Sequence, residues 1–497
     1  MAVEQLTTPS MDSPPRQGIG VSHIVFFVIA ASAPLTVAAG GNPQAFAVTG
    51  TAGYPLAFLV LTAVLIVFSA GYAAMSRHVT NAGAFYSYVA QGLGRSLGVG
   101  TSFVALVSYN AMQIGIYGLF GFTAADLFKS QFGLELPWWA YVLACIAAVG
   151  VLGYRRIDLN AKVLAVLLVI ETAAVVVFDA AQFLNPGPQG VSATPLSWHA
   201  LTTGAVGAAF CFAMAGFMGF ESGAIYGEEC RNPRRTIPRA TYAAVILMGV
   251  FYAVSAWALA VGAGPGHVVG AAQEQGPGLF FALGEQRLGS AFGDIVNVFF
   301  LTSLLAAILS FHNAVARYSF ALGREHVLPV ALGAVHPRHS SPHLSSLAQT
   351  GLAGLTVAVF AVAGLDPLAT LFTWLTNLGA LGVIFLLTVV SAAVIGFFAR
   401  NKRGEGLWSR VLAPVLGGIA LGGVFLTALI NFDVLLGAAK DSALTWSLPC
   451  VLLAAGTAGV VFGRFLKSRR PHVYTGIGHG AEGGTQLSDG VTAEAQV

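Results

Sequence analysis

Residues 215–223 read Ala-Gly-Phe-Met-Gly-Phe-Glu-Ser-Gly (AGFMGFESG), inside an apolar run, 203–226, otherwise able to cross a bilayer. A membrane helix keeps its backbone hydrogen bonds within itself and avoids charge. Three glycines and Glu221 at its midpoint mark a place where the helix is interrupted. Interruption at membrane depth is tolerated only where the freed N–H and C=O groups are enclosed by protein or line a cavity.

The rest of the chain agrees with a membrane setting. Of its 497 residues, 56% are hydrophobic and only 9% charged, where a soluble domain carries roughly a quarter charged. Apolar segments fall at about 22–49, 55–75, 97–125, 137–153, 160–183, 203–226, 239–262, 291–321, 345–364, 367–398, 411–432 and 447–467. Most approach the ~20 residues a spanning helix needs. An all-α polytopic membrane protein with twelve transmembrane helices is expected, and an even count places both termini on one side. With that side cytoplasmic, 21 of the 24 Lys and Arg lie inside and only Lys129, Arg287 and Lys440 lie outside. A shift of one helix would scramble this split, so the positive-inside rule supports count and orientation together.

Residues 1–20 are polar, contain proline and lack the flanks of a signal peptide, and read as a disordered cytosolic tail. The Gly-rich segment 471–497 reads the same way, leaving 21–470 as the membrane domain. Segment 263–290 reads as a long external loop with room for a short helix, and 322–344 as a solvated internal loop whose four histidines lack ligand-like spacing to Cys or acids. Cys145, Cys211, Cys230 and Cys450 are scattered, with neither a disulfide framework nor metal spacing. No cofactor, no metal and no nucleic-acid partner is expected; the lipid bilayer is.

A second break lies in the first span, at Ala31-Ser32-Ala33-Pro34-Leu35-Thr36, with Gly40 and Gly41 just beyond. Proline removes a donor and clashes with the preceding turn. The two broken segments lie five helices apart, the sequence pointer to inverted-repeat transporters. Freed N–H groups attract a carboxylate and freed carbonyls an ammonium, so the enclosed cavity suits a zwitterion. Gly and Pro also serve simple helix packing in membranes; two breaks at corresponding positions favour the site reading.

Three stretches carry a resemblance. They are GFESGAIYGEECRNPRRTIPRA at 219–240, AVARYSFALGREHVLP at the end of the eighth span, and RHVTNAGAFYSYVAQGLGRSLG after the second. On these the chain resembles the amino acid–polyamine–organocation (APC) superfamily of secondary transporters, over about residues 20 to 470. The resemblance implies a LeuT-type fold with five-helix inverted repeats at about 22–183 and 203–398 and two peripheral helices at about 411–467. It also implies alternating access around a substrate held between the first and sixth helices. The family's usual Gly-Ser-Gly at the first break is here Ala31, Ser32 and Ala33, followed by Pro34 and Leu35. That departure narrows the space near the backbone. An amine or altered amino acid stands beside an α-amino acid as substrate.

Candidate residues follow from the breaks and the resemblance. Ala31, Ser32, Ala33, Pro34 and Leu35 of the first break, with Ala215, Gly216, Phe217 and Gly219 of the sixth span, are expected around substrate. Tyr109, Gln113 and Tyr117 share one helical face; the resemblance implies substrate contact for Tyr109 and Gln113, with interhelical hydrogen bonding as the alternative. Phe217 and Phe220 are candidate aromatic gates, Trp374 a weaker lining residue. Two roles compete for Glu221: steadying the break by accepting backbone N–H bonds, or carrying a proton. Glu171 is the only interior charge of AKVLAVLLVIETAAVVVF, where Lys162 stands at the start. The resemblance aligns it with a position where several members place a lysine, and it is read as a proton-coupling residue. A structural hydrogen bond, or a cation site with Thr302, Ser303 or Ser310, is the alternative. Glu228 and Glu229, near Arg231, Arg234 and Arg235, are expected to close an inner gate or to form a solvated loop.

The expected function is secondary active transport of amino acids across the plasma membrane, coupled to a proton by symport. An amine or polyamine transporter and an uncoupled exchanger are the alternatives, with a monomer or homodimer as the working unit. An enzyme is not expected: there is no His-Glu-x-x-His, no Asp-rich metal run and no Ser/His/Asp set at membrane depth. A channel has no need of two breaks flanking a midplane site.

Overall fold

Uninterrupted apolar runs satisfy their own backbone only as helices, and the computed structural model is built of helices accordingly. It describes residues 20–79, 84–155, 161–221, 232–339, 341–440 and 442–478, and among these no strand occurs. In chain order the helices are α1 (Val21–Ser32), α2 (Asn42–Thr49), α3 (Tyr54–Ser76), α4 (Ala84–Gly92), α5 (Arg95–Phe132), α6 (Trp138–Arg155) and α7 (Ala161–Leu184). Then come α8 (Trp198–Thr202), α9 (Val206–Phe217), α10 (Pro233–Ala263), α11 (Val268–Gln275), α12 (Gly278–Leu288) and α13 (Ser290–Arg324). The last six are α14 (His343–Val362), α15 (Thr373–Arg400), α16 (Ala413–Ile430), α17 (Phe432–Leu436), α18 (Ala443–Arg469) and α19 (Pro471–Gly476). Ten helices among the described residues are long and apolar enough to cross a membrane. Two shorter apolar helices, Val21–Ala30 within α1 and Val206–Phe217, are the ones whose sequences carry the breaks. The chain is a multi-pass membrane protein.

The longest helix, α5, runs through the middle and packs on α4, α13, α15 and α18. Small residues permit this: a side chain at Gly115 would meet Thr376 and one at Gly118 the backbone of Pro367 and Phe372. Close backbone approach, rather than hydrophobic exclusion, drives helix association in lipid. The outer helices expose the aliphatic residues that hydrocarbon favours, among them Leu355, Val359, Ile419 and Leu453.

Two expectations are corrected. Segment 263–290, expected as a long loop with room for one short helix, holds two helices, α11 and α12. The tail expected to be disordered from 471 is helical over Pro471–Gly476, and the segment through Gly478 is docked. Val473 and Ile477 are buried, Gly478 N–H donates to Glu325 Oε2 at 3.1 Å, and Gln91 Nε2 donates to Gly478 O at 3.3 Å. Two buried apolar side chains and two polar ties outweigh the segment's low overall hydrophobicity.

Candidate functional site

The first break is a backbone event at Ala33. Its φ of 47° and ψ of 79° lie in the left-handed region, which an L side chain occupies at a cost of about 1–2 kcal/mol. Pro34 follows and cannot continue the hydrogen-bond ladder. The chain restarts as a wide π-helical turn, Thr36–Gly41, before α2. Ser32 Oγ donates to Ile29 O at 2.9 Å and lies 2.7 Å from Tyr252 Oη of α10. Thr36 Oγ1 donates to Ser303 Oγ of α13 at 3.2 Å.

The second break follows α9. Met218 turns extended, with ψ 131°, and Gly219 takes φ 104°, where only glycine is comfortable. Glu221, 1% exposed, satisfies the loosened turn: Oε2 accepts from Gly219 N–H at 3.1 Å and Oε1 accepts from the Tyr109 hydroxyl of α5. Tyr72 of α3 donates to Glu221 O at 3.2 Å. Breaks in a membrane helix persist where such partners replace the lost ladder.

Between the breaks lies a cavity of about 50 Å³. The first break contributes Ser32, Thr36, Val37 and Gly41, and α9 with its break contributes Phe212, Ala215, Gly216 and Met218. Met112 and Ile116 of α5, Ala307 and Phe311 of α13, and Tyr54, Phe372 and Thr376 complete the wall. No charged side chain is among these described lining residues. The volume holds a few waters at most, so admission of anything larger requires the walls to move. Larger grooves of about 640 and 610 Å³ open on the outer flank, walled mainly by aliphatic and aromatic residues.

The structure divides the candidate residues. Ser32, Ala215 and Gly216 line the central cavity. Ala31 belongs to the last turn of α1, while Ala33 and Leu35 are buried at the break without lining the cavity. Pro34 faces the flank groove with α7 and α10. Gly219 shapes the second break from outside the lining. Phe217 and Phe220, the candidate gates, are buried among other rings: Phe217 lies 5.9 Å from the Phe58 ring and Phe220 6.3 Å from Phe68. Trp374 is turned away to donate to Leu436 O. Glu228 and Glu229 lie outside the described residues.

Tyr109 and Gln113 were both expected at substrate, and neither lines the cavity. Tyr109 is engaged by Glu221. Gln113 accepts from Gln349 of α14, and its Nε2 lies 3.4 Å from His312 Nδ1. His312 Nε2 in turn lies 2.8 Å from Ser346 Oγ. All four residues of this network are buried, so each polar group needs the others. Glu171 is buried on α7 with the Ser303 hydroxyl beside it. Because Ser303 also accepts from Thr36, one hydroxyl pair links Glu171 to the first break.

Sequence reasoning missed His312, Tyr252 and Asp179. His312 and Asp179 were visible as polar residues in apolar spans, whereas nothing in the sequence marks Tyr252. Between α13 and the start of α14, His336 lies 4.7 Å from the His339 ring and 5.0 Å from the His343 ring, packed on Tyr154. Among the described residues no group of His, Cys, Asp and Glu has the arrangement of a metal site.

Comparison with known proteins gives a consistent picture. The family model described as amino acid permease matches residues 23–455. The chain is 23% identical to the low-affinity putrescine importer PlaP of Escherichia coli, over 75% of this chain and 80% of that protein. It is 24% identical to the branched-chain amino acid permease BcaP of Bacillus subtilis, over 76% and 80%. With the serine/threonine exchanger SteT of the same organism it shares 22% identity, over 71% and 77%.

Proposed function

Since the chain belongs to the amino acid permease family, we propose that it is a proton-coupled symporter of small neutral amino acids. It works in the cell membrane by alternating access, with both termini cytoplasmic. The two broken helices facing one small cavity carry this reading: Ser32, Thr36 and Gly41 of the first break and Gly216 and Met218 of the second line it together, bringing hydroxyl and backbone groups to the place where a zwitterion would sit. On this reading α1 through α2 and α9 are the first and sixth of twelve spanning segments in a five-plus-five inverted repeat. The ten longer helices supply the others.

The lining favours a neutral cargo over a diamine. Val37, Met112, Ile116, Phe212 and Phe311 offer apolar contact, and the described wall has no carboxylate to meet a second ammonium. Glu221, the nearest acid to the breaks, is engaged by Gly219 and Tyr109. Coupling is assigned to Glu171. A buried carboxylate at membrane depth is costly unless paired or protonated, and the ion pairs found among the described residues do not include it. Its link through Ser303 and Thr36 ties its protonation to the geometry of the first break.

The test is uptake into proteoliposomes of labelled valine, serine and putrescine, with and without a pH gradient. Gradient-driven accumulation of a neutral amino acid is expected. Accumulation of putrescine alone overturns the neutral-cargo assignment, and uptake indifferent to the gradient makes the protein an exchanger.

A further inference from the structure

Beyond Glu171, α7 buries a second acid. Asp179 is 6% exposed, and its Oδ1 has no hydrogen-bond partner among the described residues. It follows Glu171 by eight residues, about 12 Å along the axis and roughly 80° round the helix. It lines the groove of about 610 Å³ that also reaches Pro34 at the first break and Tyr252 of α10. Ser255, one turn beyond Tyr252, stands beside the Asp179 carboxyl, and its own Oγ is unpartnered. Tyr252 Oη in turn is 2.7 Å from Ser32 Oγ, which lines the central cavity. In the other direction, Gln182 and Asn185 continue the polar stripe at three-residue spacing to the exposed end of α7. The buried Gln182 Oε1 is also unpartnered.

We propose that Asp179 is a second proton-binding carboxyl of the transport cycle, loading protons from the exposed end of α7 and serving the first break through Ser255 and Tyr252. This rests on the proton-coupled reading of the site and extends it from one acid to two. The proton moves through water ordered by the amides of the Asn185–Gln182 stripe onto Asp179 Oδ1. It leaves by the Ser255 hydroxyl, crosses to Tyr252 through a water in the groove, and passes by Ser32 into the cavity between the breaks, each hydroxyl giving one proton as it accepts one, and Asp179 returns to the carboxylate. A buried side chain with an open acceptor costs free energy in a merely structural role; an acceptor that is filled and emptied in turn explains the cost.

The other titratable and charged groups of the packed elements leave Asp179 unpaired. On α12, Arg287 is held by Asn185 O, Gly262 O and Gln286 Oε1, and Glu285 lies against Gly293. Asp294, at the start of α13, accepts from Gln131. His312 of α13 is engaged by Gln113 and Ser346, while Tyr242 and the arginines of α10 lie toward its other end, as does His23 of α1.

The experiment compares wild type, Asp179→Asn, Asp179→Glu and Ser255→Ala in proteoliposomes, reading pH-gradient-driven accumulation, substrate counterflow and the external-pH profile of uptake. One proton per substrate lets one pH unit sustain about tenfold accumulation. Asp179→Asn is expected to reduce this to about onefold and flatten the pH profile while counterflow persists; Asp179→Glu restores accumulation with a shifted profile. Should Asp179→Asn fail to fold, Ser255→Ala decides: a displaced profile supports the relay and an unchanged one overturns it. Wild-type accumulation with Asp179→Asn indistinguishable from it overturns this inference and leaves the coupled reading intact. Absence of gradient-driven uptake in wild type overturns the coupled reading and this one with it. Equal loss of counterflow and accumulation in both Asp179 variants makes the residue structural and overturns the relay.

Discussion

The hydroxyl of Tyr109 on α5 donates to the carboxylate of Glu221, the residue that closes the break after α9. The longest helix of the fold thereby grips the segment whose backbone is freed. Glu221 also receives Gly219 N–H and, through its carbonyl, the Tyr72 hydroxyl. Tyr72 packs against Tyr88 of α4, with ring centroids 5.2 Å apart. A contiguous set of contacts thus runs from the second break to α4, where Gln91 and Gly478 meet.

Removing that grip with Tyr109→Phe leaves a buried carboxylate one donor short, a cost of about 1–3 kcal/mol. The melting temperature in detergent is expected to fall, and uptake to drop roughly tenfold, the equivalent of about 1.4 kcal/mol. If both stay at wild-type values, the Tyr109–Glu221 bond has no hold on the break.

At Ala33, glycine relieves the left-handed backbone. Against the relief stands glycine's larger loss of freedom on folding, so Ala33→Gly is expected to stabilise by roughly 0.5–1 kcal/mol net. Ala33→Val should destabilise, since a β-branched side chain suits positive φ worst. Thermal melts of the two variants check the sign. Opposite shifts are required.

For Glu171, the glutamine variant keeps the shape and removes the titratable proton. Counterflow is expected to persist while pH-driven accumulation falls from about tenfold per pH unit to about onefold. Ser303→Ala, which cuts the link to Thr36, should weaken coupling less. Full accumulation by Glu171→Gln would show that the proton binds elsewhere.

The docked segment 471–478 offers a separate test. Ile477, 1% exposed, tolerates no charge, so Ile477→Asp is expected to release the segment from Gln91 and Glu325. Limited proteolysis near 470 should then become faster, and hydrogen exchange in α4 should rise. Protection of α4 equal to wild type would mean that the segment rests on the surface without holding it.

His336 provides a pH dependence outside the membrane. Desolvation first, then the neighbouring His339, His343 and Arg338 charges, hold its imidazole below the ordinary range. The folded loop therefore binds its proton less readily than the unfolded chain. Its packing on Tyr154 is complete above the unfolded value of about 6.5 and is lost as pH falls below it. Hydrogen exchange of 334–339, corrected for intrinsic rate, should rise between about pH 7.5 and 5.5. His336→Asn should abolish the change.

Much of the frame was legible in the chain. Low charge and long apolar runs require helices in lipid, because nothing else satisfies the backbone there. Pro34 and the glycines of 215–223 located both interruptions, since these residues act on the backbone itself and need no knowledge of neighbours. Reading Tyr109 and Gln113 as one face was also sound, yet it did not say what that face meets. Tyr109 turns to α9 and Gln113 to α13 and α14, and only packing distributes them.

The same division separates the tail and the acids. A short Gly-rich segment with two apolar side chains reads as unstructured until the surface that buries Val473 and Ile477 is known. Glu171 stood out as an acid in the middle of an apolar run, but its tie to Thr36 through Ser303 depends on α13 approaching α1. The sequence by itself determined where the backbone must break and that the chain lives in a membrane, because both follow from local chemistry and the solvent. Only the tertiary structure decided which side chains face the cavity and which acids share a polar path, because those are set by the helix across the gap.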